Sequence, residues 1–288
     1  MQNIEVDYKT VDKIIEKLGE LPSAPVILNK VMQLTSSLDA NIMDISKHIS
    51  ADQSLSAKVV RMSNSAIYGR TKEINSLDEA IKVLGFTQVR SIIVSASTFN
   101  IFKSGTHTKI ADLLWQHSVA VALGSKMITA KFTNLDKEEA YLAGLLHDIG
   151  KLVLLQTAPN VFEEIIAKIK ESDQSFSEVA IKVLGFNHQH IGQALLVKWE
   201  FPTHLIEEIS CYHNSNISEP EEVPSIARSI ALANSMANYI GASFFNPFHH
   251  STDDQIFIGQ NEIDVDEFIE LRLKFEENYH KEINSYYE

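Results

Sequence analysis

The stretch Leu113-Leu-Trp-Gln-His-Ser-Val-Ala-Val-Ala-Leu123 decides the fold class. Leu113, Leu114, His117, Ala120, Val121 and Leu123 recur mostly at spacings of three and four, the repeat of one helical face. One histidine, His117, rides on that otherwise apolar stripe. The same periodicity extends outward. Ile27, Val31 and Leu34, widened by Leu28 and Met32, form one stripe; Leu55, Val59 and Met62 form another. Nowhere do apolar and polar residues alternate long enough to argue for a sheet. The chain is therefore expected to be all-α.

Helix starts are marked locally. Ser76-Leu-Asp-Glu79 and Ser175-Phe-Ser-Glu178 are capping-box patterns, in which a hydroxyl and a carboxylate satisfy free backbone donors reciprocally. Asn41, before Ile42-Met-Asp44, is a further candidate N-cap. One heptapeptide occurs twice, as Ala80-Ile-Lys-Val-Leu-Gly-Phe86 and Ala180-Ile-Lys-Val-Leu-Gly-Phe186. It reads as one device used twice: an amphipathic helix stopped by a left-handed glycine, then a new helix. Polar stretches at Lys103–Thr108, Asn214–Val223 and Phe245–Gln260 punctuate the chain. Ile263–Tyr287 reads as a charged amphipathic helix.

Composition narrows the class. With 288 residues and 44% hydrophobic content, the chain can bury a substantial core and is not disordered. The lone Cys211 excludes an internal disulfide framework and a cysteine-based zinc site. The net charge of −13 lacks the basic bias of a nucleic-acid binder. The charge is uneven: Met1–Ile110 holds 13 basic and 11 acidic residues, whereas Ala111–Glu288 holds 12 and 27. Ser229–Phe248 carries no charge, but its serines and asparagines suit a buried core helix better than a membrane span. The N-terminus has no export-signal pattern. No nucleic acid and no membrane are expected as partners, and a cytoplasmic location is the natural expectation.

The sharpest chemical signal is Leu145-Leu-His-Asp-Ile-Gly-Lys-Leu152. An adjacent His147–Asp148 on a helix offers an imidazole nitrogen and a carboxylate oxygen to one divalent cation. Lys151, four residues after His147, shares its face if the helix continues, and could neutralise a bound phosphate. Each residue also has a structural reading. His117 can be a hydrogen-bonded core histidine, and His147–Asp148 a pair that ties two helices together. Trp115 and Trp199 read as core anchors. Cys211 reads as a small buried side chain. Asn64 and Ser65 read as satisfying backbone groups.

The Leu145–Leu152 motif resembles the HD superfamily of metal-dependent phosphohydrolases, with His117 as the first histidine and His147–Asp148 as the central pair. The wider chain resembles the HDOD family, the HD-related output domains of bacterial signalling proteins. The resemblance spans roughly residues 20–215. It rests on Leu21-Pro-Ser-Ala-Pro25, Ile49–Ser65, Ala80–Phe86, His188-Gln-His-Ile-Gly192, Leu196–Pro202 and Cys211-Tyr-His213. It implies a two-lobed helical fold. Residues 1–19 would form an N-terminal extension, 20–104 a helical lobe and 109–215 an HD-like lobe. Residues 216–288 would complete that lobe and add an acidic tail. It also implies a noncatalytic, regulatory role.

The departure from the enzyme pattern concerns the fourth metal ligand, an Asp in a Leu-Ala-Asp context. Here the matching stretch is Ala231-Leu-Ala-Asn234. Asn234 keeps a carbonyl oxygen but removes a full negative charge, and hard cations want anionic oxygen. Tyr212 precedes His213 where cyclic-dinucleotide-cleaving relatives carry paired histidines. The candidate metal ligands are thus His117, His147 and Asp148, with Lys151, His188 and His213 as further cleft residues. No catalytic residue is assigned. No cofactor is expected, although the three ligands leave a divalent metal open. Two functions compete: a signalling module that binds a protein partner or a nucleotide-type ligand, and a metal-dependent phosphohydrolase acting on a nucleotide or cyclic dinucleotide. Between them lies a vestigial site that binds without turnover.

Overall fold

A computed structural model describes residues 13–14, 16, 18–19, 21–35, 46, 49–50, 52–65, 68, 72–103, 108–172, 174–212, 225–243 and 264–287. Every regular element among them is a helix, as the periodicity predicts. In chain order the helices begin with α1 (Val26–Thr35), α2 (Gln53–Ser63), α3 (Leu77–Leu84) and α4 (Phe86–Lys103). Then follow α5 (Thr108–Phe132), α6 (Lys137–Leu146), α7 (Ile149–Thr157), α8 (Pro159–Lys170) and α9 (Phe176–Leu184). The chain continues through α10 (His188–Lys198), α11 (Thr203–Cys211), α12 (Ser225–Tyr239) and α13 (Val265–Tyr287).

The long α5 is the axis of the molecule. It packs against α6, α12, α13, α4 and α7. Leu114, Trp115, Val119, Ala120, Val121, Ala122 and Leu123 are all buried, so the middle of the helix is enclosed on every side, whereas Leu113 of the predicted stripe is 46% exposed. Trp115 is a core anchor as expected. Its ring meets Phe99, Phe102 and Tyr286 edge-on at centroid distances of 5.3, 5.2 and 4.9 Å, tying α4, α5 and α13 together. Trp199 is likewise fully buried. Its indole N–H donates to the Pro22 carbonyl at 3.0 Å, and the neighbouring Lys198 Nζ donates to the Leu21 carbonyl at 2.6 Å.

The local signals are realised with instructive differences. At Ser175 both halves of the capping box form. At Ser76 the hydroxyl accepts from the Glu79 N–H, but the Glu79 carboxylate accepts from the Asn75 N–H, one residue earlier. Both repeated glycines stop their helices at positive φ, 82° for Gly85 and 85° for Gly185. Only Gly185 lies in the left-handed helical well. Gly85 has ψ near 167°, an extended conformation that sends the chain straight into α4 at Phe86. Asn64 closes the turn after α2: its side-chain carbonyl accepts from Ile74 N–H and its amide donates to the Ile74 carbonyl, each at 2.7 Å. Cys211 is half-buried rather than buried. The candidate cap Asn41 and the stretches 214–223 and 245–260 lie outside the described residues.

The acidic C-terminal helix α13 is integral to the core. Phe268, Leu271, Phe275, Tyr279 and Tyr286 line its buried face, as does Glu282, which is 2% exposed. Beneath it, the Tyr141 and Tyr286 hydroxyls pair at 3.1 Å, and Lys126 of α5 meets Glu138 of α6 at 2.7 Å. Burial pushes the Glu282 carboxyl up to about 7, against the pull of Ser65 and Lys126.

Candidate functional site

The candidate site forms where α5, α6, α7, α10 and α11 meet. The sequence reading places His147 and Asp148 within one helix, and the structure corrects this. The helix breaks at this dipeptide, with α6 ending at Leu146 and α7 starting at Ile149. His147 and Asp148 therefore sit at a corner, and Asp148 faces inward as the N-cap of α7. Its side chain makes no capping bond to its own helix, which frees both oxygens for tertiary partners. Lys151 lies one turn on, its backbone N–H bonded to the Asp148 carbonyl at 2.9 Å.

The close approach of α7 and α10 depends on Gly150. A Cβ there would lie 1.8 Å from the His188 carbonyl oxygen and 2.8 Å from the Gly192 nitrogen. Because no side chain separates the two backbones, His188 is carried into contact with Asp148.

Asp148 is the hub. Its Oδ2 accepts from Lys151 Nζ at 2.6 Å and lies 3.3 Å from His147 Nε2 and 3.6 Å from His117 Nε2. Its Oδ1 accepts from the Tyr212 hydroxyl at 3.0 Å and from His188 Nε2 at 3.1 Å. The cluster is interior: His117, His147, Asp148 and His188 are 5, 1, 2 and 1% exposed. Lys151 is the more open member, with its side chain 15% exposed and its ammonium 5.4 Å from the Phe176 ring centroid.

Hydrogen bonding sorts the three histidines into two kinds. His117 Nδ1 is 2.7 Å from the Ala242 carbonyl oxygen, and His147 Nδ1 is 2.7 Å from that of Gly144. A carbonyl can only accept, so each Nδ1 carries the proton and each Nε2 turns a lone pair toward Asp148 Oδ2. That is the arrangement in which a backbone partner orients a metal-ligating imidazole. His188 has the opposite tautomer, because Nε2 must donate to the carboxylate while Nδ1 faces the Ser177 hydroxyl at 3.4 Å. His188 is therefore a donor to Asp148 rather than a third imidazole ligand.

Electrostatics follow from this packing. Burial drives His117 down to about 4, and burial with the neighbouring Lys151 ammonium drives His188 to about 4. For Asp148, burial opposes the charged form, but the Lys151 ammonium and the N–H donated by His188 outweigh it and hold the carboxyl well below its usual range. Burial and the Asp148 charge push the Tyr212 phenol well above its usual range, so it stays a donor.

One atom each from His117, His147 and Asp148 lies within 4.8 Å of the others, so these three can hold a divalent ion. His147 Nε2 is buried without a hydrogen-bond partner, an atom that such an ion would satisfy. The donors are nevertheless an incomplete set. Asn234, offered by sequence as the fourth, lies half-buried on α12 and is not among the contacts of Asp148. The segment after α12 contributes a backbone carbonyl instead, that of Ala242. His213 lies outside the described residues. Sequence reasoning placed Tyr212 only as a departure from a paired-histidine pattern and missed its hydroxyl as an Asp148 donor. The Ala242 carbonyl carries no side-chain signal at all. Elsewhere, a groove of about 770 Å³ runs between α2 and α3, lined by Gln53, Arg61, Asn64 and Asp78 among others. No helix among the described residues is long and apolar enough to cross a membrane.

Comparison with known proteins places this architecture. A provisionally named phosphohydrolase from Shewanella amazonensis SB2B superposes with a TM-score of 0.76 at 23% identity, over 96% of this chain and 97% of that one. An HDOD domain protein of unknown function from Geobacter sulfurreducens gives 0.74 at 22% identity, over 94% and 97%. A protein from Marinobacter aquaeolei VT8, provisionally named for signal transduction, gives 0.75 at 19% identity, over 100% of this chain and 68% of that one. At these identities the likeness establishes the fold. An uncharacterized protein of Treponema pallidum (strain Nichols) is 25% identical over 250 residues, 83% of this chain. The chain spans about half the length of that relative, 47%. The HDOD domain model matches residues 21–215, well over half of the chain. With the all-helical fold and the His117–His147–Asp148 corner in hand, the chain belongs to the HDOD domain family.

Proposed function

We propose that this chain is a noncatalytic signal-transduction module that binds a protein partner or a nucleotide-type ligand through its HD-like lobe, in the cytoplasm. On this reading residues 20–104 and 109–215 are its two lobes, completed by 216–288. The observation that carries the proposal is the saturation of Asp148. Both of its oxygens are held by the chain's own donors, Lys151, Tyr212 and His188, in a cluster no more than 5% exposed at its histidines and carboxylate. A hydrolytic centre has to leave coordination positions for substrate and water. Here those directions are occupied by protein, and the charge that Asp would bring at position 234 is absent.

A second reading is favoured by the two inward Nε2 lone pairs of His117 and His147. A divalent ion held by them and Asp148 would supply Lewis-acid polarisation of a phosphoryl oxygen. The readings separate in one experiment. Hydrolysis of a generic phosphodiester in manganese is measured for the wild type and for His147→Ala. The proposal expects background rates from both. Sustained metal-dependent turnover that vanishes in His147→Ala would establish the phosphohydrolase instead. Affinity capture from the native cell, read by mass spectrometry, then identifies the partner.

A further inference from the structure

We infer that the ammonium of Lys151 is the resident cation of the His117–His147–Asp148 site, so that a divalent ion enters only when Lys151 leaves. The inference rests on the noncatalytic reading and gives that site its regulation. Three observations support it.

Lys151 Nζ binds Asp148 Oδ2 at 2.6 Å, the same oxygen on which both inward lone pairs converge, at 3.3 Å from His147 and 3.6 Å from His117. An ion ligated by those three atoms would need that oxygen. The chemistry of the two occupants also matches. A lysine ammonium has three protons and no acceptor, and the site offers three acceptors: Oδ2, His147 Nε2 and His117 Nε2. In the structure the carboxylate bond is the one made, and His147 Nε2 is still without a hydrogen bond. Finally, Lys151 can withdraw without unfolding the corner. It stands in the first turn of α7, its side chain is the most exposed of the cluster at 15%, and its ammonium already borders the Phe176 ring at the start of α9. Asp148 would keep Tyr212 and His188 on its other oxygen throughout.

The site is thus a two-state element. In one state a tethered monovalent cation neutralises Asp148 from inside the chain. In the other Lys151 faces outward and a divalent ion takes Oδ2 and the two imidazoles. A ligand acts on this equilibrium only through its different affinity for the two states.

The test uses the full chain and cobalt(II), whose visible absorption reports ligation directly. The variants are Lys151→Met, which keeps the stem and removes the charge, and Lys151→Gln. Removing a charge-assisted hydrogen bond that the ion must displace corresponds to about 10- to 100-fold in affinity. Both variants are expected to bind cobalt tighter than wild type by about that factor, with loss of the bands when His147→Ala is added. Equal affinity of wild type and folded Lys151→Met would overturn the inference. Should both variants unfold, the wild type still decides. A held ammonium gives a slowly exchanging lysine-ammonium resonance in nitrogen-15 NMR, expected in wild type and lost in Asp148→Asn. Its absence from wild type would overturn the inference as well. Metal-dependent turnover by wild type would sink the noncatalytic reading. Unchanged metal affinity without turnover sinks only the role given to Lys151.

Discussion

Gly150→Ala is the sharpest structural perturbation of the site, and its control lies across the same helix contact. The added Cβ would sit 1.8 Å from the His188 carbonyl oxygen, with the His188 carbonyl carbon and the Gly192 nitrogen at 2.8 Å. Ordinary van der Waals contact begins near 3.4 Å. All three neighbours are backbone, so no rotamer change relieves the clash; α7 and α10 must separate by more than an ångström. Overpacking of a core typically costs about 1–3 kcal/mol. A backbone-on-backbone clash beside the buried Asp148 belongs at the upper end, and also stretches the His188–Asp148 bond of 3.1 Å. At roughly 2–4 °C per kcal/mol for a chain of this class, the melting temperature should fall by roughly 6–12 °C. Gly192→Ala faces the same contact from α10, yet its Cβ would meet the Ile149 side chain at 3.4 Å and the Gly150 nitrogen at 3.5 Å. Because alanine also favours a helix interior over glycine by about 1 kcal/mol, Gly192→Ala should be neutral or mildly stabilising. Differential scanning calorimetry of both variants against wild type provides the measurement. A Gly150→Ala melting point within about 2 °C of wild type, or one no lower than that of Gly192→Ala, would refute the close-packing argument.

Two further outcomes are expected. Glu282 takes up a proton on folding, because its folded value of about 7 exceeds the ordinary 4.5. Its contribution is therefore full below pH 4.5 and is lost as pH rises through 7, on the order of 3 kcal/mol in all. Glu282→Gln should flatten the urea-midpoint profile between pH 4.5 and 7 and exceed wild type above it; parallel profiles would contradict the buried placement of α13. Asn64→Ala removes two 2.7 Å bonds to Ile74 and leaves its backbone groups unsatisfied, which should cost about 2 kcal/mol in chemical denaturation. Asn64→Asp keeps the acceptor for the Ile74 N–H but turns a carboxylate oxygen toward the Ile74 and Val60 carbonyls, so it should restore none of the loss.

Much of the fold was legible because it rests on local rules. The stripe through Leu114, His117 and Val121 implied a helix, and α5 is one, buried around its middle. Ser175 with Glu178 implied a helix start, and the repeated heptapeptide implied two glycine stops. Local rules fail where the chain turns on tertiary demand. Gly85 shares its sequence context with Gly185 but adopts a different ψ, because α4 starts at the next residue whereas α10 begins only after Asn187. Likewise, nothing in Leu-Leu-His-Asp-Ile-Gly-Lys announces that the helix breaks between His147 and Ile149; the break lets Asp148 collect partners 40 and 64 residues away. Of the site, the sequence named His117, His147, Asp148, Lys151 and His188. It could not reveal which tautomer each ring adopts. That depends on carbonyls of Gly144 and Ala242, and a backbone oxygen leaves no trace in residue type.

The staple at the end of α10 governs how this module can be cut and recombined. Trp199 and Lys198 hold the carbonyls of Pro22 and Leu21, about 177 residues earlier in the chain. A fragment that began at α5 would leave an indole N–H in an apolar interior with its acceptor gone, and an ammonium stem with nothing to grasp. The helices from α5 onward are thus not complete without the segment that precedes α1. Any longer protein that contains these helices has to carry the Leu21–Pro22 entry segment along with them.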